Sequence, residues 1–211
     1  MQKINNRGIL TVVSGFAGSG KGTLMKKLLE DYDCYALSVS ATSRSPRPGE
    51  EEGVSYFYKT RDEFEKMIEN DELLEHAEYV GNYYGTPKEY VFSKLDEGFD
   101  VILEIEIQGA MQIREKYPDT LLVFVLPPSA SELKNRLVGR GTETPEVIEK
   151  RMTRAAAESE GIEKYDYIVI NDDIDECAKQ LHEIIKAAHF TPSHQADFIA
   201  DIRKELKERK N

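Results

Sequence analysis

The chain has 211 residues, 32% of them charged and 40% hydrophobic, with a formal net charge of −11. That length suits one domain, or one domain with insertions, able to bury a core without staples, and the acidic balance argues against nucleic acid as a main partner while leaving room for a local cationic cleft. No apolar run approaches a signal peptide or a membrane span, and Cys34 and Cys177 lack metal spacing, as expected of reduced thiols in a cytoplasmic, globular protein.

Ile9-Leu10-Thr11-Val12-Val13 is an apolar, β-branched run that reads as a strand. Ser14-Gly15-Phe16-Ala17-Gly18-Ser19-Gly20-Lys21-Gly22-Thr23 follows, and Leu24, Leu28 and Leu29 then keep a helical period. Strand, glycine-rich turn and helix together are the context of a phosphate-binding loop. The glycines let backbone N–H groups converge on one point, and the helix N-terminus adds partial positive charge there. Lys21 is placed to reach the outer phosphates of a nucleoside triphosphate. Gly22 stands where Ser or Thr commonly follows the lysine, so the hydroxyl expected to serve a metal, directly or through water, is that of Thr23.

Ala36–Val39 reads as a short strand, and Ser40–Glu50, with two prolines and a glycine, as a loop. Arg44 and Arg47 lie three apart, close enough to aim two guanidinium forks at one phosphate. Tyr56-Phe57-Tyr58 is strand-like, a short helix starts near Arg61, and Leu73–Val80 with Tyr83–Thr86 resembles a hairpin turned at Gly81-Asn82. Thr86-Pro87 reads as an N-cap and first position of the next helix. Residues 40–97 thus form a small mixed unit inserted between two parts of the core.

Val101–Ile107 is a buried-type strand in which alternation places Glu104 and Glu106 on one face. Carboxylates at the end of a parallel strand beside a phosphate loop can hold Mg²⁺ through its waters. Leu121–Leu126 is a second buried strand, stopped by Pro127-Pro128. Ser129 then caps a helix, with Glu132 in the capping-box position. Thr144-Pro145 starts another. Arg136, Arg140, Arg151 and Arg154, around a glycine-bounded hinge, look like a mobile cationic cover. Tyr167–Asn171 is a last core strand, and Ile174 to Ala188 the helix that follows it. Thr191-Pro192 again reads as cap and first position, here of a terminal helix whose Phe198, Ile199, Ile202 and Leu206 share one side and are expected to dock on the core or face solvent.

The element order implies an α/β fold with a parallel sheet covered by helices on both faces. There is no internal repeat and no low-complexity segment.

Together these residues resemble the guanylate kinase family. The discriminating stretch is Thr42–Tyr58 (TSRSPRPGEEEGVSYFY). Gly81–Thr86, the strand end Glu104–Gly109 and the Arg140–Thr144 segment fit as well, and the likeness spans about residues 8–188. It implies a P-loop three-layer core over 1–39 and 98–190, a helical lid at 137–158, an inserted GMP-binding subdomain at 40–97 and a helical extension at 191–211. It implies that Gly15, Phe16, Ala17, Gly18, Ser19, Gly20, Lys21, Gly22 and Thr23 hold ATP, with Asn171 at the adenine. Arg44, Arg47, Tyr56 and Tyr84 would take the GMP phosphate, and Ser40, Glu75 and Thr86 the guanine, with Glu104 and Arg151 also at GMP. Lys21, Arg44, Arg136, Arg140 and Arg151 would carry the transfer, and Thr23 and Glu104 the Mg²⁺. The family often has Asp at the positions of Glu104 and Glu106, and the Gly22 departure recurs within it.

The implied reaction is ATP + GMP ⇌ ADP + GDP, with dGMP as a further acceptor, in purine nucleotide metabolism and GMP recycling. The acceptor is a phosphate oxygen, already mostly dianionic at neutral pH, so no general base is needed. His76, His182, His189 and His194 are accordingly read as structural or solvated. Two rivals are a kinase of the same architecture acting on AMP, UMP or a sugar phosphate, and a non-catalytic interaction module. The 42–58 stretch and Glu75 argue against the first, and the intact loop, with Lys21, against the second. Oligomeric state is left open.

Overall fold

The computed structural model describes residues 7–47, 49–79, 81–139, 141 and 144–209. Strand β1 (Leu10–Gly15) is the middle of a five-stranded sheet. It pairs in parallel with β7 (Asp100–Glu104) on one side and β8 (Leu121–Leu126) on the other. Beyond them lie β2 (Tyr35–Leu37) and β9 (Tyr167–Ile170), also parallel, giving the order β2-β7-β1-β8-β9. Parallel strands need crossovers, and the helices that supply them cover both faces.

Alternation along β1 divides the core. Ile9 and Val13 face α1 (Lys21–Asp31) and α7 (Ile174–Ala188), packing with Leu24, Leu28, Leu181 and Ile185. Leu10 and Val12 face the other way, among Val91 and Leu95 of α3 (Lys88–Asp96), Ile113 of α4 (Ile107–Lys116) and Leu133 and Leu137 of α5 (Ala130–Gly139). Helix α6 (Pro145–Ser159) packs on α5, with Pro145 at its first position as expected. Asp173, which the sequence reading passed over, caps α7 by accepting from the Glu176 N–H. The Ser129 cap is present, but Glu132 turns to Arg136 (2.8 Å) instead of closing a capping box.

A second sheet, ordered β4-β3-β6-β5, lies between β2 and β7 in sequence. It comprises β3 (Ala41–Thr42), β4 (Phe57–Tyr58), β5 (Leu73–Tyr79) and β6 (Asn82–Pro87). Helix α2 (Arg61–Glu69) starts at a full capping box of Thr60 and Glu63 and drives the fully buried Phe64 against Tyr83.

Four local readings need correction. Thr86 stays in the β6 ladder and Pro87 is the cap of α3, because the Thr86 hydroxyl is held by a buried acid. Strand β7 stops at Glu104, and Glu106 is instead the cap residue of α4, so the two acids do not share a strand face. Strand β9 is an edge, where only Val169 is buried. Thr191-Pro192 lies in a turn, and the last helix, α8 (Ala196–Glu208), begins later and buries none of its residues. Among the described residues no helix is long and apolar enough to cross a membrane.

Phe124 of β8 joins the core to the loop after β1: it is fully buried, with Phe16 edge-on at 5.3 Å and Tyr165 at 5.0 Å between ring centroids. Phe124→Ala should cost about 3–5 kcal/mol in urea unfolding. A loss below about 1 kcal/mol would show that the aromatic cluster is not what seats the loop on the sheet.

Candidate active site

The loop from Gly15 to Gly20 leaves the end of β1 and enters α1. Gly18 and Gly20 sit at φ 93° and 91°, in the left-handed region where a side chain is strained. A side chain on Gly15 would lie 2.5 Å from the Val125 carbonyl oxygen, so β8 and the loop can touch only through glycine. Lys21 curls over the loop and donates to the carbonyls of Gly15 (2.7 Å) and Phe16 (3.2 Å). Gly22 and Thr23 are exposed in the first turn of α1, where backbone N–H groups lack helical partners.

Asn171 lies at the back of this loop. It is 5% exposed, and its amide donates to the Ser19 carbonyl at 2.9 Å. Its own carbonyl accepts from Arg136 at 2.9 Å, while a second Arg136 nitrogen reaches the Ser19 carbonyl at 3.5 Å. The side chain expected at adenine thus also braces the loop backbone. A side chain on Gly20 would strike it at 2.3 Å.

In the second sheet, Arg44, Tyr56 and Tyr84 come together. The Arg44 guanidinium lies 5.4 Å from the Tyr56 ring centroid, and the rings of Tyr56 and Tyr84 are 6.0 Å apart. The organiser is Glu50, which the sequence reading treated only as part of a loop. It accepts from the Arg44 guanidinium (2.9 Å), the Arg47 backbone N–H (2.7 Å) and the Tyr58 hydroxyl (2.9 Å). The Arg44 contact, then the backbone bond, draws its carboxyl down to about 2. Burial pushes the Tyr56 phenol up, so it stays a proton donor. Ser40, half-buried, leads into β3.

Glu75 of β5 is 5% exposed, and its Oε1 accepts from the Thr86 hydroxyl at 2.8 Å. Burial pushes its carboxyl up to about 7, a rise that the Thr86 bond and the Lys116 charge only partly oppose.

Glu104 is exposed beside the loop, in register with Val13. Surrounding protein raises its carboxyl above the usual range and the charge of Lys21 lowers it. Glu106 accepts from Arg154 at 2.6 Å, and Arg154 also holds Glu158 at 2.7 Å. Arg151 is half-buried on α6. Arg140 lies outside the described residues.

A family model described as guanylate kinase matches residues 7–188. The chain is 53% identical over 183 residues to a guanylate kinase of Halalkalibacterium halodurans, covering 87% of this chain and 90% of that one. It is 51% identical over 187 residues to that of Lactococcus lactis (89% and 91% covered) and 52% identical to that of Bacillus subtilis (88% and 92%). Among solved structures, a guanylate kinase from Anaplasma phagocytophilum superposes with a TM-score of 0.71 at 35% identity, over 88% of each chain.

The buried carboxyl carries a stability signature. The folded protein holds the Glu75 proton to about 7, against 4.5 for an ordinary glutamate. The folded state binds that proton more tightly, so stability is full below the unfolded value and is lost as pH rises through this window. Glu75→Gln keeps an acceptor for Thr86 without the charge. Thermal unfolding should find it more stable than the parent near pH 8, with the gap closing towards about pH 5. A gap independent of pH would exclude a titrating carboxyl.

Proposed function

The chain belongs to the guanylate kinase family, and from that premise we propose the roles its residues take as an ATP:GMP phosphotransferase. It moves the γ-phosphoryl group of ATP to GMP, giving ADP and GDP. We extend the acceptor to dGMP, whose base and phosphate present the same groups. The observation that supports this reading best is the buried Glu75–Thr86 pair, a purine reader in the same fold as an intact phosphate loop.

In this reading Glu75, as a carboxylate, accepts the N1–H and N2–H donors of guanine. Adenine would turn its N1 lone pair on the same oxygens, and an unpaired buried polar group costs about 1–3 kcal/mol. Thr86 gives its proton to Glu75, which leaves Ser40 to donate to the guanine O6. Arg44, Arg47, Tyr56 and Tyr84 hold the acceptor phosphate, with Glu50 keeping Arg44 in place.

ATP takes the 15–23 loop. Lys21 leaves the loop carbonyls for the β- and γ-phosphates, and Arg136 and Arg151, with Arg140, neutralise the charge that spreads over the transferring group. Asn171, which the family resemblance puts at the adenine, also fixes the Ser19 carbonyl. Closure of α5 and α6 over the site would exclude water and suppress hydrolysis.

Mg²⁺ is the metal we assign. The donor set fits it: the Thr23 hydroxyl and Glu104 carboxylate are hard oxygen donors beside the loop, and among the described residues no group of three or more acidic, histidine or cysteine side chains could make a protein cage. Such a site leaves most ligands to phosphates and water, the usual Mg²⁺ pattern. When bound, the ion would neutralise the β- and γ-oxygens. Cytoplasmic residence is part of the proposal, supported by Cys34 and Cys177 being free thiols.

A coupled ADP-release assay with Mg²⁺ across GMP, dGMP, AMP and UMP should show turnover confined to the guanine nucleotides; equal AMP turnover would overturn the Glu75 assignment. Lys21→Ala should lower kcat by about 10²-fold or more with an unchanged circular dichroism spectrum. Because guanine needs the ionised carboxyl, KM for GMP should rise as pH falls below about 7. The phosphate, with its second pKa near 6, adds its own pH dependence, and only the Glu75 part should vanish in Glu75→Gln.

A further inference from the structure

Helix α4 lies along the outer edge of β5, the end strand of its sheet. It presents Gly109, Gln112 and Lys116, spaced three and four apart and so on one face. Gln112 accepts from the His76 N–H (3.3 Å) and donates to the His76 carbonyl (3.0 Å), replacing the missing neighbour strand. Lys116 donates to the Leu74 carbonyl at 3.2 Å. The strand is therefore pinned to the core on both sides of residue 75.

At residue 75 itself the facing position is Gly109. A side-chain carbon there would lie 2.7 Å from Glu75 Oε2, 3.2 Å from its Cδ and 3.2 Å from Ile105 Cδ1. Nothing in the backbone asks for glycine, since Gly109 is helical and absent from the positive-φ positions. Glycine in a helix is a poorer choice than alanine. What the position needs is the space.

We propose that Gly109 is the position that sets base specificity through Glu75, by leaving its carboxylate the pose in which one oxygen meets Thr86 and both face the purine. This rests on the assignment of Glu75 to guanine. With β5 pinned by Gln112 and Lys116, a methyl at 109 cannot be met by the strand backing away. The carboxylate swings instead. It is the end of a flexible side chain, so the fold tolerates the change and base reading does not. Stability and specificity move in opposite directions, which a purely structural glycine would not produce.

The test compares Gly109→Ala, Glu75→Gln and the double variant, using GMP and inosine monophosphate, which lacks the 2-amino donor. Gly109→Ala should unfold no earlier than the parent, keep KM for ATP within about twofold, and lose about tenfold or more in kcat/KM for GMP. Its preference for GMP over inosine monophosphate should fall to that of Glu75→Gln, and the double variant should be no worse than Glu75→Gln alone. Gly109→Ala with full GMP activity beside an impaired Glu75→Gln overturns the inference. So does a lowered unfolding temperature, or strictly additive losses. An unimpaired Glu75→Gln removes the Glu75 reading and the inference with it.

Discussion

Two polyanionic nucleotides can meet only where positive groups are held apart and aimed, and in a chain of net charge −11 four of those groups among the described residues have acidic or carbonyl partners. Arg44 is held by Glu50, Arg136 by Glu132 and the Asn171 carbonyl, Arg154 by Glu106 and Glu158, and Lys21 by the loop carbonyls. The solvent-exposed pairs among these do little for the fold. Their effect is orientation. Glu50 shows this most clearly, because one carboxylate fixes a guanidinium, a backbone N–H and a phenol at once.

The proposed purine end obeys the opposite rule. There the Glu75 carboxyl is buried, and among the described residues its hydrogen-bond partner is Thr86 rather than a cation. Such a group is costly while charged, which is why burial lifts its carboxyl towards neutrality. In the proposed reading the cost is also the source of discrimination. A well-satisfied carboxylate would gain little from guanine, whereas a poorly satisfied one gains from two donors placed side by side and loses from a base that offers a lone pair.

How much of this is legible in the sequence follows from how local each signal is. The phosphate loop is legible because its strand, glycines, lysine and helix lie in one continuous stretch, and the parallel core because its strands are nearly unbroken apolar runs. Thr86-Pro87 misleads for the same reason: the dipeptide is a good local helix start, but the partner that keeps Thr86 in its strand is eleven residues away. Glu104 and Glu106 mislead because alternation assumes that the strand continues, and it ends between them. Ser40, Glu75 and Tyr84 came only with the family resemblance, since no spacing marks them. Glu50, Gly109 and Gln112 carry no local signal. Each acts through another residue, and two of the three reach across more than thirty positions to do so.

Stability and chemistry are therefore arranged differently at the two ends of the site. At the loop they agree. The Phe16–Phe124–Tyr165 cluster that consolidates the sheet also seats the loop, and Gly15 lets β8 close on it. At the proposed base site they disagree. A glycine stands where alanine would make the better helix, and a carboxyl is buried where an amide would fold more readily. Residues that weaken the fold without a backbone reason are where a close physical reading is most informative, because packing alone would have replaced them.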